Sequence, residues 1–248
     1  MSSIPLRQVA PAHQARVSGN RILAALAALS PLEAAWLAPY LEPVQMAHAE
    51  ILAAVGARFA HVYFPETAVV SVISRMANGD AAEVGTVGNE GMAGISVFLG
   101  RGTSPHETVV QVAGAGVRAS AAVLSDGAQR HPVLRRLLNQ YTQEYLTQVA
   151  QTAACNRLHA IEPRCARWLL MTHDRVGGAA EFALTQEYLA VMLGVRRGGV
   201  TVAAGALQSA GLIRYRRGGI RVLDRVGLEA AACECYGVVR DSFDVALS

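Results

Sequence analysis

The sequence predicts an α+β chain in three zones, and three observations carry that reading. Short β-rich runs broken by glycines fill much of the first half. A stretch from about His131 to Leu158 has no proline or glycine beyond Pro132 at its start. The last third then reads as helix, glycine turn, helix and β-hairpin, the order of a winged helix-turn-helix. With 248 residues, 52% of them hydrophobic and 17% charged, the chain is globular and long enough for two cores.

The elements follow in order. In "SPLEAAWLAPYLEPV", Ser30 is a helix cap, Pro31 suits the first helical position and Glu33 stands where a capping box wants it. From about Val44 to Val123, runs such as "HVYFP", "AVVSVIS" and "TVVQV" alternate with Gly79, Gly85, Gly88, Gly91, Gly94, Gly100, Gly102, Gly114 and Gly116, which are read as turn glycines. Many short strands at this spacing predict a β-sandwich or barrel.

Within 131–158, Leu134, Leu138, Tyr141 and Tyr145 follow a 4-3-4 spacing, and Val149 and Thr152/Ala153 roughly continue it. Glutamine and threonine populate the rest of the helix. One narrow apolar stripe on a polar helix reads as a dimer seam.

"EPRCARWLLMTHDRVG" makes a further helix, stopped by Gly177 and Gly178. Thr185 caps the next, with Leu184 and Leu189 placed as a hydrophobic staple, and Gly194 ends it in a tight turn. A helix from about Arg197 to Ala210 follows, stopped by Gly211. "LIRYRRGGIRVLD" reads as two short strands around an Arg-Gly-Gly turn.

Charge is unevenly placed. The net is +3, and every one of the 22 cationic residues is arginine. Between Thr185 and Arg225 lie seven arginines (196, 197, 214, 216, 217, 221 and 225) against Glu187 and Asp224, a local excess of five. Arginine meets phosphate as a planar fork, so such an excess suits nucleic acid, a solvated basic face being the plainer alternative. Arg196 and Arg197 stand at a helix amino end, where free backbone N–H groups already favour phosphate. Val200, Ala203, Ala204 and Leu207 share the inward face of that helix. Gly198, Val202, Gly205 and Ser209 share the outer one, flanked by Thr201 and Gln208, and Gly198 and Gly199 allow close approach of backbone to DNA. Arg214, Arg216 and Arg217 lie on the hairpin, placed to grip the flanking backbone.

Other chemistries find little support. The four cysteines (155, 165, 233 and 235) form no disulfide framework in a chain this long. Cys233 and Cys235 are the one close pair; a lone C-x-C reads as buried or free thiols rather than a metal site, with a redox role left open. The seven histidines show no metal-binding spacing, no hydrolase or nucleotide fingerprint is present, and Glu83 and Glu90 read as turn or surface carboxylates. No enzyme and no cofactor is expected. No apolar run approaches ~20 residues and no basic-then-apolar leader opens the chain, so neither a membrane span nor a secretory signal is expected and the reading is cytoplasmic.

The stretch "LTQEYLAVMLGVRRGGVTVAAGALQSAGLIRYRRGGIRVLD" resembles the DNA-binding end of the cyclic-AMP receptor protein/fumarate-nitrate regulator (Crp/Fnr) superfamily. Leu-Thr-x-x-x-Leu-Ala, Leu-Gly-Val-x-Arg at the turn, Val200-Thr201, Leu207 and Ala-Gly-Leu-Ile before the wing carry the resemblance. It implies a β-roll of the cyclic-nucleotide-binding (jelly-roll) type as sensor over residues 1–125, a dimerisation helix over 126–158 and a winged helix-turn-helix over 159–248. It further implies a homodimeric transcription regulator that reads double-stranded DNA, with an unknown small-molecule effector and RNA polymerase as further partners.

Two departures qualify the resemblance. The family's recognition helix presents Arg-Glu near its start and an Arg one turn later; Arg197 keeps the first, but Gly198 and Val202 replace the others, so two strong base readouts are missing. Thr185, Arg196, Arg197, Gly198, Gly199, Thr201, Val202, Gln208, Arg214, Arg216 and Arg217 remain the expected DNA-facing set. In the sensor, Ile95 follows Gly94 where cyclic-nucleotide binders have Glu, and Glu107-Thr108-Val109 stands in the phosphate segment. A carboxylate facing a phosphate is repulsive, which argues against cyclic AMP or GMP. Gly94, Ile95, Arg101, Glu107 and Thr108 are the expected effector-pocket positions. No N-terminal cysteines are present to hold an iron–sulfur cluster. The competing reading is a degenerate regulator: a β-roll serving as a protein-interaction scaffold beside a winged helix that no longer reads DNA.

Overall fold

The computed structural model describes residues 18–178, 181–216 and 218–247. Helices α1 (Arg21–Leu29) and α2 (Pro31–Leu37) lead into seven strands: β1 (Glu42–Met46), β2 (Ile51–Ala53), β3 (His61–Pro65), β4 (Val69–Arg75), β5 (Ala81–Val87), β6 (Glu107–Val112) and β7 (Gly114–Ser120). The short helix α3 (Ile95–Phe98) interrupts them, and α4 (Ala121–Arg130) follows. Then come α5 (Pro132–Leu158), α6 (Ile161–Arg175), β8 (Glu181–Ala183), α7 (Gln186–Leu193), α8 (Arg197–Ser209), β9 (Ile213–Arg216), β10 (Gly219–Val222), α9 (Arg225–Ala231) and α10 (Cys235–Ala246).

The first seven strands form two antiparallel sheets, ordered β1-β7-β3 and β2-β6-β4-β5. Met46, Tyr63, Val70, Val87 and Val110 come from both sheets and pack as one apolar cluster. Burial of such side chains contributes roughly 1.5–3 kcal/mol each. The fold is the predicted α+β order: a β-roll, a long central helix and a helix-turn-helix. The boundary drawn at residue 125 falls inside α4.

Glu33 does not close a local capping box. Ser30 Oγ accepts from the Glu33 backbone N–H at 3.4 Å, but the Glu33 carboxylate reaches α5, accepting from the N–H groups of Val133 (3.2 Å) and Leu134 (2.8 Å). His131 offers α5 no side-chain cap, so a distant carboxylate satisfies those free donors.

The glycines divide into two kinds. Gly79, Gly94, Gly100 and Gly102 have positive φ and are turn glycines, as expected. Gly85, Gly88 and Gly91 are packing glycines instead: a side chain there would run into Tyr145, Arg175 and Tyr141 respectively. They leave room for α5 and α6 to lie directly on the β-roll. Tyr141 accordingly donates to the carbonyl of Met92 at 3.1 Å.

A buried polar network joins α6 to the sheet. Glu83, expected at a turn or the surface, is only 6% exposed on β5. Its Oε1 accepts from Thr86 Oγ1 (2.8 Å) and Trp168 Nε1 (2.9 Å). Ser71 Oγ lies 2.5 Å from Glu83 Oε2 and 2.7 Å from Gln111 Oε1, with one proton to give. The Gln111 amide nitrogen is turned to Thr172 Oγ1, so its oxygen accepts from Ser71. Ser71 thus shares its one proton between the Glu83 and Gln111 oxygens. Burial pushes the Glu83 carboxyl above its ordinary value, while hydrogen bonds from Ser71, Thr86 and Trp168 pull it back.

The folded state therefore binds a proton at Glu83 more tightly than the unfolded state. Stability is expected to fall as pH rises from the ordinary value near 4.5 to the raised one, by at most ~1.4 kcal/mol per pH unit from this group. Glu83→Gln, neutral at every pH, should flatten that dependence in urea midpoints measured from about pH 4 to about pH 8. An unchanged slope would contradict the buried proton.

Candidate nucleic-acid interface

The last third of the chain builds a compact reading head. Thr185 Oγ1 accepts from the Tyr188 N–H at 3.1 Å and caps α7. Gly194, at φ +60°, ends α7 and turns the chain into α8. Val200, Ala203, Ala204 and Leu207 of α8 are buried, each at most 3% exposed. Gly198, Thr201, Val202, Gly205, Gln208 and Ser209 are exposed on the other side, Val202 at 72%. Gly198 and Gly205 open on free space; Gly199 packs on α6, since a side chain there would meet Ile161 at 2.9 Å. Gly199 thus packs within the domain, whereas its neighbour Gly198 is open to solvent.

The wing is a three-stranded sheet, ordered β8-β10-β9. The sequence shows two of its strands; "EFA" (181–183) adds the third by pairing with β10. Too short to show an alternation, it gave no sequence signal. Gln208 Oε1 accepts from the Tyr215 N–H at 2.8 Å and ties α8 to β9. Thr201 Oγ1 lies 3.2 Å from Gln186 Oε1 and 3.1 Å from the Arg197 carbonyl.

Tertiary structure sorts the arginines. Arg225 is taken up inside the chain, donating to Asp174 (2.6 Å) and Glu229 (2.7 Å). Arg221 lies 3.8 Å from Glu181. Arg196, Arg197, Arg214 and Arg216 are exposed and make no salt bridge among the described residues. Arg217 lies outside the described residues. The first two stand at the start of α8, whose N-cap, Arg196, offers no side-chain hydrogen bond to the first turn. Its free N–H groups and the flanking guanidiniums present one positive surface to an anion.

The expected seam residues turn inward. The stripe Leu134, Leu138 and Tyr141 is buried within its own chain, at most 1% exposed, and Tyr145 packs beside it against Gly85. Val149 is half-buried. This stripe is the docking face of α5 on the β-roll, not an open seam: the stronger apolar face of a helix turns to the nearest sheet. The opposite side of α5 carries Gln143, Leu146, Ala150, Ala153 and Arg157, of which Leu146 is 57% exposed.

The expected effector residues take different partners. Gly94 and Ile95 open α3, with Gly94 against Val62. Arg101 turns to Thr103 (3.4 Å), Glu107 pairs with Arg75 (2.7 Å), and Thr108 is buried 3.5 Å from Ser104. A cavity of about 260 Å³ lies between α1, α6 and α10 instead, lined by Arg21, Asp174, Arg225, Tyr236 and Arg240 among others.

Cys233 and Cys235, a lone pair in sequence, are joined in space by Cys155 and His159, four candidate metal donors within 4.8 Å of one another. No single helix among the described residues is long and apolar enough to cross a membrane.

Comparison with known proteins adds a domain and a fold. Residues 163–231 match the Crp-like helix-turn-helix domain family. No curated protein matches the chain in sequence. Among solved structures, FixK2 from Bradyrhizobium japonicum is similar with a TM-score of 0.62 at 15% identity, over 78% of this chain and 98% of that one. A putative transcriptional regulator of the Crp/Fnr family from Eubacterium rectale aligns at 0.60 and 16%, over 82% and 95%. The c-di-GMP-responsive global regulator CLP of Xanthomonas campestris aligns at 0.57 and 15%, over 75% and 95%. These likenesses extend the fold across the β-roll and the long helix, beyond the matched domain. The chain thus carries a Crp-like helix-turn-helix domain over residues 163–231, on a fold similar to that of Crp/Fnr regulators.

Proposed function

We propose that the chain acts as a homodimer that binds a specific, two-fold symmetric DNA site, with α8 in the major groove. The observation that carries this is the outer face of α8, left open between Arg196 and Arg197 at one end and Arg214 and Arg216 on the wing. Guanidiniums on both sides hold the phosphate backbone and fix register; Thr201 and Val202 are then the side chains placed to meet a thymine methyl. With Gly198 and Val202 in place of charged readers, sequence-dependent DNA shape supplies part of the selectivity. Thr185, Gly199 and Gln208 act by shaping this surface: one caps α7, one packs on α6 and one anchors the wing. In this reading residues 1–125 sense an effector that is not cyclic AMP, 126–158 dimerise and 159–248 bind DNA. The Arg75–Glu107 pair supports the exclusion, because it keeps a carboxylate in the stretch that would have to meet the phosphate.

The dimer face follows from what α5 leaves uncovered. Gln143, Leu146, Ala150, Ala153 and Arg157 recur at 3-4-3-4 spacing, the repeat of a helix-to-helix seam with small residues that permit close approach. Leu146→Glu is expected to yield a folded monomer with weakened DNA binding. Leu138→Ala, inside the core, should cost roughly 2–5 kcal/mol of stability without changing the association state. Light scattering after size exclusion separates the two; a Leu146→Glu protein that stays dimeric removes this face from consideration.

Selection from a randomised duplex pool, read by sequencing at two salt concentrations, tests the whole proposal. Enrichment of a palindromic site is the expected result. No enrichment, with or without cell-extract metabolites, would favour the degenerate regulator whose β-roll is an interaction scaffold.

A further inference from the structure

We propose that Cys155, His159, Cys233 and Cys235 form a tetrahedral zinc site that fastens the C-terminal helix α10 to the end of α5. Cys155 lies in the last turn of α5 and His159 is the residue that caps its carboxyl end, which brings the two side chains to the same end of the helix. Cys233 and Cys235 flank Glu234 at the start of α10 and arrive from 78 and 76 residues further along the chain. Cys155 Sγ lies 3.6 Å from Cys233 Sγ, and Cys235 Sγ lies 3.5 Å from His159 Nδ1. These are two opposite edges of a tetrahedron whose four vertices all fall within 4.8 Å of one another. A zinc–sulfur bond of about 2.3 Å gives a tetrahedral edge of about 3.7 Å, so one zinc ion fits with small side-chain adjustments.

The donor chemistry narrows the occupant. Three thiols and one imidazole suit zinc or iron over the hard cations. A two-iron cluster spreads its four ligands over two metal atoms and needs a wider cage than this one. All three cysteines are buried, at most 8% exposed, which keeps the site closed as a structural zinc site requires.

The surroundings are those of a metal site. His159 turns Nδ1 toward the sulfurs and Nε2 to Glu234 Oε1 at 3.2 Å, a carboxylate–histidine arrangement that fixes the ring and its tautomer. Gln151 Nε2 donates to Cys235 Sγ at 3.0 Å. Three thiolates around one divalent ion leave a net negative charge, which the buried guanidiniums of Arg164 and Arg167 offset. Cys155 and His159 lie where α5 leads into α6, so an occupied site fastens the start of α10 at that junction.

The test uses the full-length protein, purified under reducing conditions with zinc supplied. Elemental analysis is expected to find about one zinc per chain that survives dialysis, and replacement by cobalt should give the visible bands of a tetrahedral thiolate site. Cys233→Ser and His159→Ala should lose the metal, His159→Cys should keep it, and Cys165→Ser, a buried cysteine outside the cluster, should leave it untouched. Chelation should lower the thermal midpoint of the wild-type chain and not that of Cys233→Ser. Should the serine variant fail to fold, the cobalt spectrum of the wild-type chain decides alone. Less than about a tenth of an equivalent of zinc, iron–sulfur absorption in its place, or a Cys155–Cys233 disulfide formed under the same conditions overturns the proposal.

Discussion

Affinity of the proposed dimer for a DNA duplex is expected to fall by about 10³-fold or more between about 50 and about 200 mM salt. Arg196, Arg197, Arg214 and Arg216 are exposed and unpaired by any carboxylate among the described residues, so their charge is available to phosphate. Two chains double that set, and six to ten phosphates neutralised corresponds to a loss of roughly 10³ to 10⁵ over this salt range. Replacing Arg196 and Arg197 together by alanine removes four of these charges from a dimer and should make the log–log salt slope shallower by up to ~3.6. The same double variant should unfold at the wild-type urea concentration, because neither residue makes an internal salt bridge. Arg225→Ala should do the reverse: its guanidinium is engaged by Asp174, Glu229 and Tyr236, so stability should drop while the salt slope holds. Anisotropy titrations at four salt concentrations distinguish these patterns, and an unaltered slope in the double variant would remove α8's start from the DNA interface.

The largest stability effect is expected at Glu90, where alanine should cost about 3–5 kcal/mol. Glu90 follows β5 and Arg175 ends α6; their side chains are 6% and 7% exposed and meet at 2.8 Å. Arg175 also donates to Gln148 Oε1 of α5 (2.9 Å) and to the Met171 carbonyl (3.0 Å), while Glu90 accepts from the Gly88 N–H at 3.2 Å. One satisfied cluster thus locks the β-roll, the long helix and the reading head together. Removing the carboxylate alone strands a buried guanidinium. Replacing both partners, as Glu90→Leu with Arg175→Met, should recover most of the loss, because apolar groups of similar volume carry no desolvation cost. Urea unfolding followed through Trp36 and Trp168 measures both; a cost below ~1 kcal/mol for Glu90→Ala would show that water reaches the cluster.

Reading α8 from its sequence succeeded because a helix with Val200, Ala203, Ala204 and Leu207 on one side has a single way to bury them. The same reasoning misplaced the stripe on α5. Leu134, Leu138, Tyr141 and Tyr145 have the spacing of a seam, but spacing does not say whether the partner is a second chain or the sheet of the same one. Gly85, Gly88 and Gly91 answer that question, since their missing side chains make the trough into which Tyr145, Arg175 and Tyr141 fit. In the sequence they look like turn glycines, because a close-packing glycine and a turn glycine are the same letter.

What the sequence by itself determined is local: the strand-rich half, the unbroken long helix, the capped helix-turn-helix and the arginines around it. Each rests on hydrogen bonding, periodicity or charge among residues close together in the chain. Tertiary structure decided which face of α5 stays open, which arginines remain unpaired, and that Glu83 and Glu90 are buried. It also brought Cys155 and His159 to Cys233 and Cys235, across 78 and 76 residues. Those outcomes depend on how helices dock on a sheet, and docking is set by the combined shape of surfaces that no short window of sequence contains.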